Sequence, residues 1–254
     1  MKKQETRALI GALVFIASVL RVDVAQAVFR VARNMANPST AAHNAAVRIL
    51  LYLFHTKSLG ITYGAIQDRT VTGLGRSLHV LVDASWEVGK SVTGVAIMLA
   101  GAAVTWISRK QLMEALSSMD SETYAASLGA ADLMHIRGLV EEMGIIINHA
   151  MPMWSANSGT VSVANDSGSV GRARHLAMRA RFLQDCKSAQ ICQVGYVQTL
   201  ENAADMLTKP LDRSKFNKHR MYLMGMADGQ EYDKFHSKKQ GKDGNDLQKD
   251  QAQP

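Results

Sequence analysis

Between Leu78 and Gly144 the sequence sets three strand-like runs end to end and follows them with one long helix. Leu78–Ser85, Ser91–Leu99 and Ala103–Ser108 are β-branched and apolar, and Ala100-Gly101-Ala102 supplies the turn between the second and third. Ser117–Gly144 reads as a helix that Ser117 or Ser118 caps and Gly144 ends. Its inner face runs through Ala125, Ala126, Gly129, Leu133, Ile136 and Val140, and the small residues near its start permit close packing on a sheet. Beyond it, Met151–Ser155 predicts a fourth strand, Ala173–Lys187 a basic helix and Ile191–Gln198 a fifth strand. Asn202–Met226 reads as mostly helical, divided by Pro210. The expected class is α/β: a five-stranded mixed sheet flanked by helices, preceded by an all-helical segment.

That leading segment reads as one or two helices over 6–36, stopped at Asn37-Pro38, then a second helix capped by Ser39 or Thr40. Its apolar stripe is Ala45, Val47, Ile49, Leu50, Leu53 and Phe54, and Gly60 is expected to close it. ITYG at 61–64 is a possible short strand. The start also resembles a signal peptide: Lys2 and Lys3, an apolar run from Ala8 to Leu20, then Ala25-Gln26-Ala27. Glu5, Arg7, Arg21 and Asp23 interrupt that pattern, and a helical stripe continues through Val24, Val28, Val31 and Met35. The run is too short to span a bilayer comfortably.

A formal charge of +7 suits a polyanionic partner without requiring one. Cys186 and Cys192 match no zinc spacing and read as reduced thiols of an intracellular protein.

Three carboxylates recur in chemically suggestive places. Asp83 lies near the end of the first strand, on the face of Leu81 and Ser85. Glu122 lies one turn into the long helix, at the head of its buried stripe. Asp205 lies in the first turns of a late helix. Taken singly each is ordinary: Asp83 a strand-terminal residue capping a turn, the other two carboxylates favoured by a helix dipole. Asp120 reads as a first-turn residue pointing elsewhere.

The blocks around them resemble one family. VDASW at 82–86, KSVTGVAIMLAGAAVTWISRKQ at 90–111, ALSSMDSETYAA at 115–126, GRARHLAMRARFLQD at 171–185 and VQTLENAADMLTKPL at 197–211 look like the ribonuclease H blocks of copia-type LTR retrotransposons. Residues 7–39 look like the segment after the reverse transcriptase catalytic subdomain of such Pol polyproteins. The resemblance covers roughly 6–226. It implies a reverse transcriptase remnant over 1–64, a linker over 65–77, a ribonuclease H-like domain over 78–227 and a disordered polar tail over 228–254. The apolar N-terminal run then becomes an internal helix.

The resemblance further implies cleavage of the RNA strand of RNA–DNA hybrids, with Asp83, Glu122 and Asp205 as catalytic ligands of two Mg2+ ions (Mn2+ possible). Such ions sit roughly 3.5–4 Å apart and need several converging hard oxygen donors. Arg109, Lys110, Arg174, His175, Arg179 and Lys209 are the expected nucleic-acid contacts, with Arg172, Arg181 and Arg213 as further basic candidates. His175 reads either as such a contact or as a packed helix residue. The expected partners are an RNA–DNA hybrid and the rest of a Pol polyprotein, with no membrane, inside the cell.

One departure stands out. The strand at 151–157 should carry an Asp followed by Asn, and the pair here is Ala156-Asn157. Asn157 is a poor substitute, because neighbouring strand residues face opposite ways. Asp166 lies in the following helix, on a different backbone path. An incomplete ligand set predicts impaired cleavage; the alternatives are a catalytically dead nucleic-acid-binding domain, a decaying element fragment, or a secreted protein using the apolar run.

Overall fold

The computed structural model describes residues 3–64, 77–86, 91–112, 114–165 and 174–226. The expected linker at 65–77, apart from its last residue, and the tail from 228, with Asp166 and Arg172, lie outside the described residues.

Three strands form as the sequence pattern predicts: β1 (His79–Ser85), β2 (Val92–Leu99) and β3 (Ala102–Lys110) pair antiparallel. The hairpin between β2 and β3 turns on Ala100 and Gly101, both with positive φ, as tight two-residue loops require. The long helix α4 (Ser118–Glu142) follows, N-capped by the Ser117 hydroxyl, which accepts from Asp120 N–H. Gly144 ends it in the left-handed region, with its N–H bonded to the Glu141 carbonyl. Then come β4 (Met151–Ser155), α5 (Ser158–Asn165), α6 (Arg174–Ser188) and β5 (Cys192–Tyr196). The chain closes with a 3-10 turn at Thr199–Glu201, the short helix α7 (Asp205–Thr208) and α8 (Arg213–Leu223).

The sheet order is β3-β2-β1-β4-β5, with β4 parallel to both β1 and β5. Antiparallel meander, crossover helix, parallel strand, crossover, parallel strand is the ribonuclease H fold. Alternation along β1 divides the core. Val80 and Val82 face α4, where they meet Ala126, Ala130 and Leu133. A Cβ on Gly129 would come within 2.9 Å of Val82 Cγ1, so only glycine lets α4 lie this close. Leu81 faces the other way, toward Met206, Leu207, Tyr222 and Leu223 of α7 and α8.

The N-terminal helices are α1 (Lys3–Val19), α2 (Ala25–Ala32) and α3 (Thr40–His55), the last capped by Ser39 as expected. They share a small core of Ile10, Leu13, Val24, Val28, Ala46 and Ile49. They are not separate from the sheet: Val22 and Ala25 belong to the same apolar cluster as Leu81 and Leu207. The Trp106 indole N–H donates to the Ala17 carbonyl at 2.7 Å, and Arg220 Nη1 donates to the Tyr52 hydroxyl at 3.1 Å.

Two local expectations change. Helix α3 stops at His55, and Gly60 lacks the left-handed conformation of a closing glycine. ITYG forms no strand, although Thr62 N–H bonds the Met224 carbonyl. The 6–36 stretch breaks at Arg21, where a 3-10 turn (Val22–Val24) begins. The buried Arg21 guanidinium grips both Asp23 carboxylate oxygens, at 2.8 and 2.7 Å, and the Tyr52 hydroxyl donates to Asp23 Oδ2. A buried bidentate pair with its remaining lone pairs satisfied is the favourable form of such a contact. Cys186 and Cys192 are free and buried. Among the described residues no helix is long and apolar enough to cross a membrane.

Candidate active site

Three elements deliver the three carboxylates to one end of β1. Asp83 sits on that strand opposite Gly94 of β2. Glu122 enters from the first turns of α4 and Asp205 from the start of α7; all three are buried. Their charges act on one another: Asp83 raises the pKa of both partners.

Polar contacts pin α7 to the sheet. Asn202 Nδ2 donates to the Val82 carbonyl at 2.8 Å, and its Oδ1 accepts from Ala204 N–H. Ser108 Oγ donates to the Leu207 carbonyl at 2.6 Å. Gly94 makes room: a Cβ there would lie 2.7 Å from Thr208 Cγ2 and 2.9 Å from the Ala204 carbonyl oxygen. A strand glycine that admits another backbone is a recognised device. The Thr208 hydroxyl donates to Asp83 Oδ2. None of Asn202, Gly94 or Thr208 was picked out as functional from sequence. The glycine inside an otherwise apolar strand is the signal that could have found them.

Lys209 departs from expectation. Its ammonium does not reach outward toward a nucleic acid; it lies 2.8 Å from Asp205 Oδ1 and 3.8 Å from Asp83 Oδ2. The i,i+4 spacing to Asp205 explains the pairing. Among the described residues no group of three or more carboxylate, imidazole or thiol side chains stands ready to hold a metal ion. At this centre Thr208 and Lys209 engage Asp83 and Asp205 instead.

Ala156 follows β4 directly, in a bend one residue beyond the Val82–Ser155 pair that ends the β1–β4 register. Asn157 is used otherwise: its Oδ1 accepts from Thr160 N–H at 2.9 Å and caps α5. Arg109 and Lys110 are exposed at the end of β3. Arg179 is turned inward, 4.5 Å over the Tyr124 ring and 3.5 Å from Asp120 Oδ1. Asp120 thus ties α4 to α6, and its Oδ2 accepts from Leu116 N–H. The side chains of Arg174 and His175 lie outside what the structure describes.

Comparison with known proteins finds relatives over most of the chain. The chain is 29% identical over 216 residues to the retrovirus-related Pol polyprotein from transposon RE2 of Arabidopsis thaliana, covering 84% of this chain and 14% of that protein. The corresponding protein from transposon TNT 1-94 of Nicotiana tabacum is 26% identical over 218 residues, 85% of this chain and 16% of that protein. The Ty1-ER2 Gag-Pol polyprotein of Saccharomyces cerevisiae is 24% identical over 220 residues, 85% and 12% respectively. Over most of its own length the chain is similar to transposon Pol polyproteins. It spans about a seventh of the length of the first of these relatives. No family model matches it. Among solved structures, the N-terminal RNase H domain of rv2228c from Mycobacterium tuberculosis aligns with a TM-score of 0.41 and 11% identity, over 56% of this chain and 94% of that one.

The electrostatics of this site follow from the burial of its carboxylates. Burial, then the neighbouring Asp83, pushes Glu122 up to about 8, against the Ala84 backbone N–H and the Lys209 ammonium. Burial and Asp83 push Asp205 up to about 7. Burial also works against the Lys209 ammonium, but Asp83, Asp205 and Glu122 outweigh it and raise its pKa. His219 of α8 is fully buried with neither ring nitrogen hydrogen-bonded, and burial lowers it to about 4.

A pH dependence follows. A carboxyl raised in the fold keeps a proton the unfolded chain has already released. Its stabilising effect is full below about pH 4 and is lost as pH climbs to the folded value. His219 has the opposite sign: its contribution is present above its ordinary 6.5 and is lost as pH falls to about 4. The two oppose each other below 6.5, and the carboxyls act alone above it. In EDTA, the Tm should fall by roughly 4–8 °C between pH 6.5 and 8. Glu122→Gln should flatten that fall. A wild-type profile that is level across this range refutes the assignment.

Proposed function

We propose that the chain is a ribonuclease H-type nuclease domain of a copia-type Pol polyprotein, acting on the RNA strand of RNA–DNA hybrids, with a cation site one carboxylate short at Ala156. Residues 1–64 are read as the end of the reverse transcriptase segment and 78–227 as the nuclease domain. What best supports this reading is the meeting of three buried carboxylates, Asp83, Glu122 and Asp205, at one end of β1 in a ribonuclease H sheet.

The donor set suits Mg2+ or Mn2+: hard oxygen atoms, one of which, Glu122 Oε2, is buried without a hydrogen-bond partner. Asp83, Glu122 and Asp205 would hold the ions, which when bound lower the pKa of water and stabilise the leaving oxygen. The chain's own residues do the positioning. Strand β1 and helices α4 and α7 keep the carboxylates fixed and shielded from bulk water. The Thr208 hydroxyl sets the orientation of the Asp83 carboxylate. Arg109 and Lys110 offer exposed charge to hybrid phosphates, contacts that position a substrate without reading its sequence.

The test is cleavage of a labelled RNA–DNA hybrid with Mg2+ or Mn2+. Weak cleavage is expected, and Asp83→Asn should abolish it. Cleavage that survives Asp83→Asn removes Asp83 from the reaction. A second reading, hybrid binding without cleavage, is favoured by Ala156 and by the lysine seated among the carboxylates. It predicts salt-dependent binding with no product at any metal concentration.

A further inference from the structure

The Lys209 ammonium stands where a cation shared by two of the carboxylates would stand. It is 2.8 Å from Asp205 Oδ1 and 3.8 Å from Asp83 Oδ2. The backbone arranges this. Lys209 leaves the helix in extended geometry while its N–H still bonds the Asp205 carbonyl at 3.2 Å. Lys209 is thereby held one turn beyond Asp205, with its ammonium over that carboxylate. The third carboxylate has no ion pair of its own: Glu122 Oε2 is buried with no hydrogen bond, as is Asp205 Oδ1 apart from its ion pair with Lys209. Buried carboxylate oxygens in that condition favour a nearby positive charge.

With all three carboxylates ionised, the site and its ammonium would sum to −2, and an aspartate in place of Ala156 would make that −3. The lysine side chain is 37% exposed, against 4–5% for the two aspartates, so the ammonium has water to swing into.

We propose that Lys209 is a built-in competitor for the cation position between Asp83 and Asp205, so that a divalent ion binds there only by expelling the ammonium. This rests on the reading of Asp83, Glu122 and Asp205 as metal-holding residues. It adds that the affinity of the site is set from within by a side chain four residues from one of them. Two positive charges cannot share oxygen donors at these distances in a dry site without strong repulsion.

The experiment is Mn2+ binding to the whole chain by titration calorimetry, checked by the EPR signal of free Mn2+. Lys209→Met keeps the length of the side chain and removes its charge. It should tighten Mn2+ binding by about tenfold or more, within the usual range of coupling between two ligands. Adding Asp205→Asn to Lys209→Met should erase the gain, and Lys209→Arg should bind as weakly as wild type. Should Lys209→Met fail to melt cooperatively, Lys209→Gln takes its place. Unchanged affinity in the neutral variant, with binding lost in Asp83→Asn, overturns the competitor and leaves the metal reading intact. Weaker binding in the neutral variant also overturns it. No binding in wild type or variant at millimolar Mn2+ overturns both.

Discussion

Ala156→Asp is expected to raise Mg2+-dependent cleavage of the RNA strand of a hybrid by at least about 100-fold. Loss of a group that merely orients a metal ligand costs 10–100-fold, and a ligand itself is worth no less. Residue 156 follows directly on Ser155, which pairs with Val82, the neighbour of Asp83 in β1. Trp154, paired with Leu81, packs in the apolar cluster that Leu81 shares with α7. Ala156 itself lies in a bend just past β4, next to the end of the β1–β4 pairing. A new carboxylate there would oppose the charge of Lys209 and lend an oxygen to the site. Ala156→Asn, similar in shape and uncharged, should leave the rate unchanged. The measurement is single-turnover cleavage at matched hybrid occupancy. A folded, hybrid-binding Ala156→Asp protein with no gain would mean that the missing ligand is not what limits the reaction.

Gly94→Val should lower the Tm by about 5–10 °C, corresponding to roughly 2–3 kcal/mol of overpacking. The obstacles are the Thr208 methyl at 2.7 Å and the Ala204 carbonyl at 2.9 Å from the added Cβ. Neither is the free end of a long side chain. Helix α7 would have to lift from β2, taking with it the Ser108–Leu207 and Asn202–Val82 contacts that place Asp205. Stability and metal binding should therefore fall together. Gly138→Ala, with nothing within 4 Å of its new Cβ, is the contrasting change and should be neutral or slightly stabilising. Equal melting of Gly94→Val and wild type by circular dichroism would show that α7 is not seated as described.

The strands, the Ser39 and Ser117 caps and the closing Gly144 were legible in the sequence because each rests on local chemistry: alternation, a side-chain oxygen, a positive φ. The carboxylates were legible for a different reason. Singly they resemble helix-dipole or turn residues, and only the surrounding blocks set them apart. What local pattern could not reveal was every pairing made across the fold. Arg21, where the first helix has ended, has its guanidinium held by Asp23 and Thr56. Arg179 looked like a phosphate contact, and the Tyr124 face and Asp120 take it up. Lys209 read the same way until the burial of Asp83 and Asp205 made it the nearest counter-charge. A basic residue's partner depends on which acid loses its water, and that is decided by packing.

The tie between Arg220 and Tyr52 joins residues 168 positions apart, and the Trp106–Ala17 bond spans 89. Val22 and Ala25 likewise pack with Leu223, near the far end of the described residues. Contacts of such sequence separation carry a large loop-closure cost and slow the search for the native state. On a ribosome the first helices emerge long before the surface that covers them. Asp83 and Glu122 likewise wait for Asp205. The carboxylate centre is completed only once α7 has emerged, so a chain cut short before α8 would lack the Tyr222 and Leu223 side chains that close the core over Leu81.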